Sequence, residues 1–204
     1  EASPIFGWNT SGGSEKEFVG DVSENGYFVI ACDWGQDISL LNSTGTAPVS
    51  APAPMVETDN NKLRTTYDSS KKYVTFLISD GDNLQMWLNT ANDKRWWGND
   101  YRTSKNVPIG WTIAPCMYSI TPDVWNYYMK AAINNGSGND EFVVAPSGMG
   151  FAFGEIAGKM DAFNKQLASL NDFMDKSKGN ITTVSIFGTN DWGNTNYLYG
   201  YMNK

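Results

Sequence analysis

Apolar runs and polar stretches alternate along this chain in a strand–helix rhythm. Pro4-Ile5-Phe6-Gly7 reads as a short strand, residues 15–24 as a helix, and Tyr27-Phe28-Val29-Ile30-Ala31 as a second strand. Residues 35–70 are rich in Thr, Ser, Pro and Asn, with Ala51-Pro52-Ala53-Pro54 inside, and read as a long loop of the functional or mobile kind. Tyr73 to Ser79 is dense in β-branched and aromatic side chains and predicts a strand buried on both faces. A helix over about residues 83–92 follows, then a strand over Val107 to Ile113. The next helix is signalled by Thr121 as N-cap, Pro122 at the first helical position and Asp123 in the first turn. It runs to about Asn135, where Gly136-Ser137-Gly138 ends it. Glu141 to Ala145 is a further strand. Ile156, Met160, Phe163, Leu167, Leu170 and Phe173 fall on one helical face, with Gly179 as the C-cap. Residues 181–187 read as a last strand and 194–202 as a short helix.

Repeated strand–helix units imply parallel strands with right-handed crossovers. A complete (β/α)₈ barrel takes about 250 residues, and this chain has 204. The expected fold is therefore α/β, a TIM-like barrel that is incomplete or closed by segments outside this chain, with an open sheet as the alternative. Functional-looking residues after many different strands favour the barrel. Residues 1–204 read as one barrel-like domain, and a first residue of Glu1 rather than Met reads as a piece of a longer protein.

Composition narrows the chemistry. Hydrophobic content of 41% and charged content of 18% describe a globular domain. No apolar run reaches membrane-spanning length. A formal charge of −7 argues against a nucleic-acid partner, which needs a basic face. Histidine is absent, which removes Ser-His-Asp and Cys-His nucleophile systems, His-ligated zinc and His acid–base catalysis. Carboxylate chemistry, hard-metal binding through oxygen, or no catalysis remain. Cys32 and Cys116 could pair, but two cysteines make no framework. The sequons beginning at Asn9, Asn42, Asn135 and Asn180 are as many as chance supplies in so Asn- and Ser/Thr-rich a chain.

The strand ends carry the candidate site. Asp80-Gly81-Asp82-Asn83 follows the third strand, with Gly81 permitting a sharp turn. Gly7-Trp8, Cys32-Asp33-Trp34, Gly110-Trp111, Ser147-Gly148-Met149-Gly150-Phe151 and Asn190-Asp191-Trp192 lie at the ends of others, or within the fourth. Open α/β sheets and β/α barrels keep their chemistry at that end. Carboxylates beside tryptophans suit a sugar: flat aromatic faces meet its C–H surfaces, and acids and amides meet its hydroxyls. Glycoside hydrolysis needs two carboxyl groups and no histidine. Asp80, Asp82 and Asp33 are the candidate catalytic acids. Trp8, Trp34, Asn83, Trp111, Ser147, Gly148, Gly150, Phe151, Asp191 and Trp192 are the candidate substrate-binding residues. Trp87, Trp96, Trp97 and Trp125 are assigned to packing or the loop. No cofactor is required, although Asp80, Asp82 and Asn83 offer oxygen ligands for Ca²⁺ or Mg²⁺.

Ser147-Gly148-Met149-Gly150-Phe151-Ala152-Phe153-Gly154 resembles the motif that names the GxGYxYP putative glycoside hydrolases, with phenylalanine for both tyrosines and glycine for the proline. Pro4 to Trp8, Tyr73 to Asn83, Gly110 to Pro115 and Asn139 to Phe142 are similar to the same family in order and spacing, covering the chain to about residue 155. The resemblance implies a TIM-barrel-like C-terminal domain with a second, N-terminal domain as partner. It also implies bacterial, secreted, periplasmic or cell-surface handling of polysaccharide.

Three functions compete on these residues. A glycoside hydrolase would use Asp80 or Asp82 with a partner from another strand, because side chains at i and i+2 on an extended segment diverge; Asp33, Asp191 and Glu155 are the candidates. A metal-dependent phosphoryl or glycosyl transferase would use Asp80-x-Asp82 for Mg²⁺, although Leu84 stands where Thr or Val follows the phosphatase motif. A non-catalytic carbohydrate-binding domain would use the tryptophans alone.

Overall fold

A computed structural model of the chain describes residues 2–8, 14–31, 52–56, 68–91, 96–97, 109–134, 140–145, 147–153 and 160–179. Strand β1 (Pro4–Phe6) pairs in parallel with β2 (Phe28–Ile30), in register Pro4 to Phe28. Strands β3 (Leu77–Ile78), β4 (Gly110–Ile113) and β5 (Glu141–Val144) form a second parallel sheet in the order β3-β4-β5. Around them lie α1 (Glu15–Glu24), α2 (Met117–Ile120), α3 (Pro122–Asn134) and α4 (Met160–Ser177), with a π-helical turn over Met86–Thr90.

The expected TIM-like barrel is not what forms. The described residues make two small parallel sheets, of two and three strands, and no barrel closes. The reason is visible at β2. Beside β1 on one edge, it meets on the other a short antiparallel bridge from Phe151 rather than a parallel strand. Val29 and Phe151 exchange two backbone hydrogen bonds of 2.8 Å. The expected strand at 181–187 and helix at 194–202 lie outside the described residues.

The most apolar stretch of the sequence is not the most buried strand. Only Leu77 and Ile78 of the expected Tyr73–Ser79 strand enter a ladder, and Tyr73, Val74 and Phe76 are 58, 74 and 58% exposed. Among the described residues β3 has one neighbouring strand and lies at the sheet edge, whereas β4 sits between two and buries Trp111, Thr112 and Ile113. The β-branched composition reported strand propensity but not position in the sheet.

Helix α1 begins at a capping box: Ser14 Oγ accepts from the Glu17 N–H, and the Glu17 carboxylate accepts from the Ser14 N–H. Helix α3 starts at Pro122 as expected, but Thr121 does not cap it with its hydroxyl. Thr121 Oγ1 is buried without a hydrogen-bond partner among the described residues, while the Thr121 carbonyl accepts from the Trp125 N–H at 3.0 Å. Thr121 also closes α2, and that double duty turns its side chain inward. At the end of α4 the left-handed residue is Lys178, φ 61°, rather than Gly179.

Part of the expected 35–70 loop is pinned. The Ala53 N–H donates to Asn126 Oδ1 and Trp125 Nε1 donates to the Ala53 carbonyl, both at 2.7 Å. The Phe142 N–H of β5 donates to the Val56 carbonyl at 2.8 Å. Residues 52–56 thus lie between α3 and β5, and Met55 joins the core.

That core is aromatic at its centre. Trp87 and Tyr128 meet edge to face at 4.7 Å, Trp97 and Phe142 stack at 5.6 Å, and Trp97 and Trp111 lie 5.2 Å apart. Such pairs are each worth about 0.5–1.5 kcal/mol beyond the area they bury. Phe28 and Ile30 of β2 belong to the same cluster as Trp111, Ile113 and Val144, so both sheets share one core.

Candidate functional site

The end of β3 turns sharply, and the turn is built by its neighbours. Asp80 adopts φ 75°, a left-handed conformation that aspartate tolerates better than most residues. Gly81 then passes so close to β4 that a Cβ there would lie 1.6 Å from the Thr112 carbonyl oxygen. The Gly81 N–H donates to Thr112 Oγ1 at 2.9 Å, and that hydroxyl donates to the Ile78 carbonyl at 3.0 Å. Trp87 Nε1 donates to the Gly81 carbonyl at 3.2 Å, and Tyr128 Oη donates to the Trp87 carbonyl at 2.8 Å. The Asn83 N–H closes the turn on the Asp80 carbonyl at 3.2 Å. The π-helical turn that follows carries Trp87 back over the bend.

This turn sends its two carboxylates to different surroundings. Asp80 remains open to solvent. Asp82 is 8% exposed, and Ser147 Oγ donates to its Oδ2 at 2.5 Å. Burial raises the Asp82 pKa; the Ser147 hydroxyl and the Asp82 and Asn83 N–H groups offset part of that rise. The Asp80 pKa is also raised, first by partial desolvation, then by the charge of Asp82, then by that of Glu15. The Cys116 thiol, free and buried, is pushed up to about 12 by burial, with a smaller contribution from the Asp82 charge.

The glycine motif after β5 proves to be a backbone device. Gly148 takes φ +76°, and the Gly148 N–H donates to the Ala145 carbonyl at 2.9 Å. A Cβ on Gly150 would lie 2.6 Å from the Phe28 ring and 2.9 Å from the Val29 carbonyl oxygen. The two glycines therefore let the chain turn and then press against β2. Phe151 lands half-buried on Trp8, stacked at 5.8 Å and 11°, with Phe18 edge-on to Trp8 at 5.7 Å. Phe153 is 4% exposed and packs with Val19 and Val29. Its N–H donates to Ser23 Oγ at 2.9 Å.

Among the predicted site residues, Asp80, Asp82, Asn83 and Ser147 come together at the end of β3, and Trp8 meets Phe151. Gly148 and Gly150 shape the loop that delivers both Ser147 and Phe151. Trp111 is 1% exposed inside the aromatic core, where it offers no face to a sugar. Asp33, Trp34, Asp191 and Trp192, like Glu155 and Cys32, lie outside the described residues. For a metal, Asn83 Oδ1 is a buried acceptor without a partner among the described residues. Yet no group of three or more Cys, Asp or Glu side chains among those residues converges as an ion shell would.

Two participants escaped the sequence reading. Glu15 stands in the first turn of α1, takes no part in the capping box, and acts electrostatically on Asp80. An acid there looks like an ordinary complement to the helix dipole. Thr112 sits mid-strand, inside the family-like stretch Gly110 to Pro115, where nothing in the sequence assigns its hydroxyl a role.

An α/β domain with paired acids at a strand end and a glycine-built aromatic loop agrees with the family signature. The chain belongs to the GxGYxYP putative glycoside hydrolase C-terminal domain family, whose model matches residues 70–203. Its fold is similar to that of a crystal structure described as a putative hydrolase from Bacteroides thetaiotaomicron VPI-5482, at 24% identity and a TM-score of 0.73. That likeness covers 98% of this chain and 35% of the other, so the chain spans about a third of the solved protein. No curated protein matches the chain.

Proposed function

We propose that this chain contributes a carboxylate-based glycoside hydrolase site at the end of β3. Asp80 is the acid that meets the glycan, and Asp82 is the buried carboxylate whose charge adds to partial desolvation in raising its proton affinity. One observation carries the reading: a solvent-open carboxyl is fixed in a left-handed turn, with two further acids near enough to raise its pKa. A group that must protonate a leaving oxygen near neutral pH needs its pKa raised. Family membership supports the hydrolase class. The half-exposed Trp8–Phe151 stack supports a carbohydrate substrate, since its rings suit the C–H face of a sugar. Glu15 joins the candidates for the second catalytic carboxylate, which must stand about 5–5.5 Å from the first for retention or about 6.5–9.5 Å for inversion.

The test is hydrolysis of a panel of polysaccharides and aryl glycosides by wild type, Asp80→Asn, Asp82→Asn and Glu15→Gln. Losing a positioned acid costs about 10²–10⁴-fold in rate. Asp80→Asn is expected to lose that much with its melting temperature preserved. Full activity in Asp80→Asn overturns the assignment. Glycan binding without turnover by wild type would instead leave a carbohydrate-binding domain built on Trp8 and Phe151.

A further inference from the structure

We infer that Thr112 is a positioning residue for this site: its hydroxyl, bridging Ile78 and Gly81 across the end of β3, holds the turn that presents Asp80. The inference rests on the hydrolase reading for its kinetic consequence, but its geometry is independent of that reading. Thr112 is 1% exposed on the central strand β4, and its single hydroxyl works in both directions. It accepts the Gly81 N–H at 2.9 Å and donates to the Ile78 carbonyl at 3.0 Å. These two backbone groups flank Asp80 along the chain, on either side of its left-handed φ of 75°. The Gly81 carbonyl is held separately by Trp87 Nε1 at 3.2 Å. Gly81 has no side chain of its own to fix it, and its close approach to the Thr112 backbone leaves the hydroxyl as the group that sets the register between turn and strand. Asp82, two residues along, is fixed by Ser147 from β5's loop. Thr112 and Ser147 thus tie the two acids of one turn to two different strands. Without the Thr112 hydroxyl, the Gly81 N–H loses its partner and the turn is free to rotate Asp80 relative to Asp82.

Thr112→Val preserves shape and removes the hydroxyl; Thr112→Ser preserves the hydroxyl and removes a methyl group. A positional error of about 1 Å costs on the order of 10²-fold in rate. Thr112→Val is therefore expected to lose roughly that factor in kcat with KM unchanged, and Thr112→Ser to recover most of it. The second readout needs no substrate. ¹³C NMR titration of the Asp80 carboxyl reports its placement in the turn, through its partial desolvation first and then its distance from Asp82 and Glu15, with the Cys116 thiol neutral throughout. The Asp80 midpoint should fall toward the ordinary carboxylate range in Thr112→Val and stay near wild type in Thr112→Ser. An unchanged Asp80 midpoint in Thr112→Val overturns the inference, whatever the kinetics. A wild-type protein that hydrolyses nothing overturns the hydrolase reading, while the titration still decides the role of Thr112. Should Thr112→Val not fold, Thr112→Ala removes the same hydroxyl with less crowding at β4 and is judged by the same titration.

Discussion

Replacing Gly81 with alanine adds one methyl group at a point where the chain has no room for it. The added Cβ would lie 1.6 Å from the Thr112 carbonyl oxygen, 2.1 Å from its carbon and 2.6 Å from Oγ1. Two of these three atoms are backbone of the central strand, so no rotamer change relieves the contact. Relief takes both a strained shift of β4 and a lift of the turn, which gives up the Gly81 N–H bond to Thr112 and the Trp87 bond to Gly81. Overpacking alone costs about 1–3 kcal/mol, and occasionally more. Each lost hydrogen bond adds about 1 kcal/mol. The sum, about 3–5 kcal/mol, is a large share of the roughly 5–15 kcal/mol that holds a domain folded. Gly148→Ala is the control. Unlike Gly81, Gly148 sits at positive φ, +76°, but the nearest new neighbour of an added Cβ there is a Leu170 methyl at 3.5 Å. Its cost is the left-handed backbone alone, about 1–2 kcal/mol. Urea titration of both variants, followed by far-UV circular dichroism, gives the two differences. Thermal melts should show Gly81→Ala lower by roughly 6–20 °C, at about 2–4 °C per kcal/mol for a chain of this size. A Gly81→Ala variant no less stable than Gly148→Ala would refute the close packing of turn and strand.

Two further expectations come from the same corner of the molecule. The folded-state pKa of Asp82 is raised above its ordinary 3.8, so the folded protein holds that proton more tightly than the unfolded chain. The stability this provides is fully present below 3.8 and is lost as pH rises through the folded-state value. Asp82→Asn removes the titration while keeping an acceptor for Ser147, so its urea midpoint should gain on wild type as pH rises from the acid side; a difference that is flat with pH would exclude the shift. The Cys116 thiol, buried with a pKa of about 12, should resist a disulfide reagent at pH 8 in native Cys32→Ser protein and react fully only in denaturant. Prompt native labelling would show the region to be open.

Local signals in the sequence located α1, α3, α4 and the strands β1, β2, β4 and β5, because Pro122, helical spacing and apolar runs act over a few residues. They did not report how strands are ordered. Tyr73 to Ser79 and Val107 to Ile113 are both apolar runs, and among the described residues only the sheet order makes β3 an edge and β4 a centre. The barrel expectation failed for a related reason: βα alternation implies parallel pairing but not that a sheet closes on itself. At the candidate site, the meeting of Asp80, Asp82 and Ser147 was legible because parallel strand–helix units carry the ends of their strands to one face. Trp111 was misread because a tryptophan following a glycine looks the same in a core as in a binding cleft. Thr112 and Glu15 were not legible, since each matters only through a neighbour distant in sequence.

The contacts that assemble this site also bear on how fast it can form. Ser147 reaches Asp82 across 65 residues, Phe153 reaches Ser23 across 130, and the Ala2 N–H donates to Ser169 Oγ across 167. Loop closure on that scale is spent before any of these bonds is gained, which places such a topology toward the slow end of domain folding. The left-handed Asp80 turn must await Thr112 of β4, 31 residues beyond Gly81, and its carboxylates acquire their unequal surroundings only when the loop after β5 arrives. Refolding should therefore recover helical signal well before it recovers the buried Asp82, and a nascent chain released before residue 147 has no means of completing the pair.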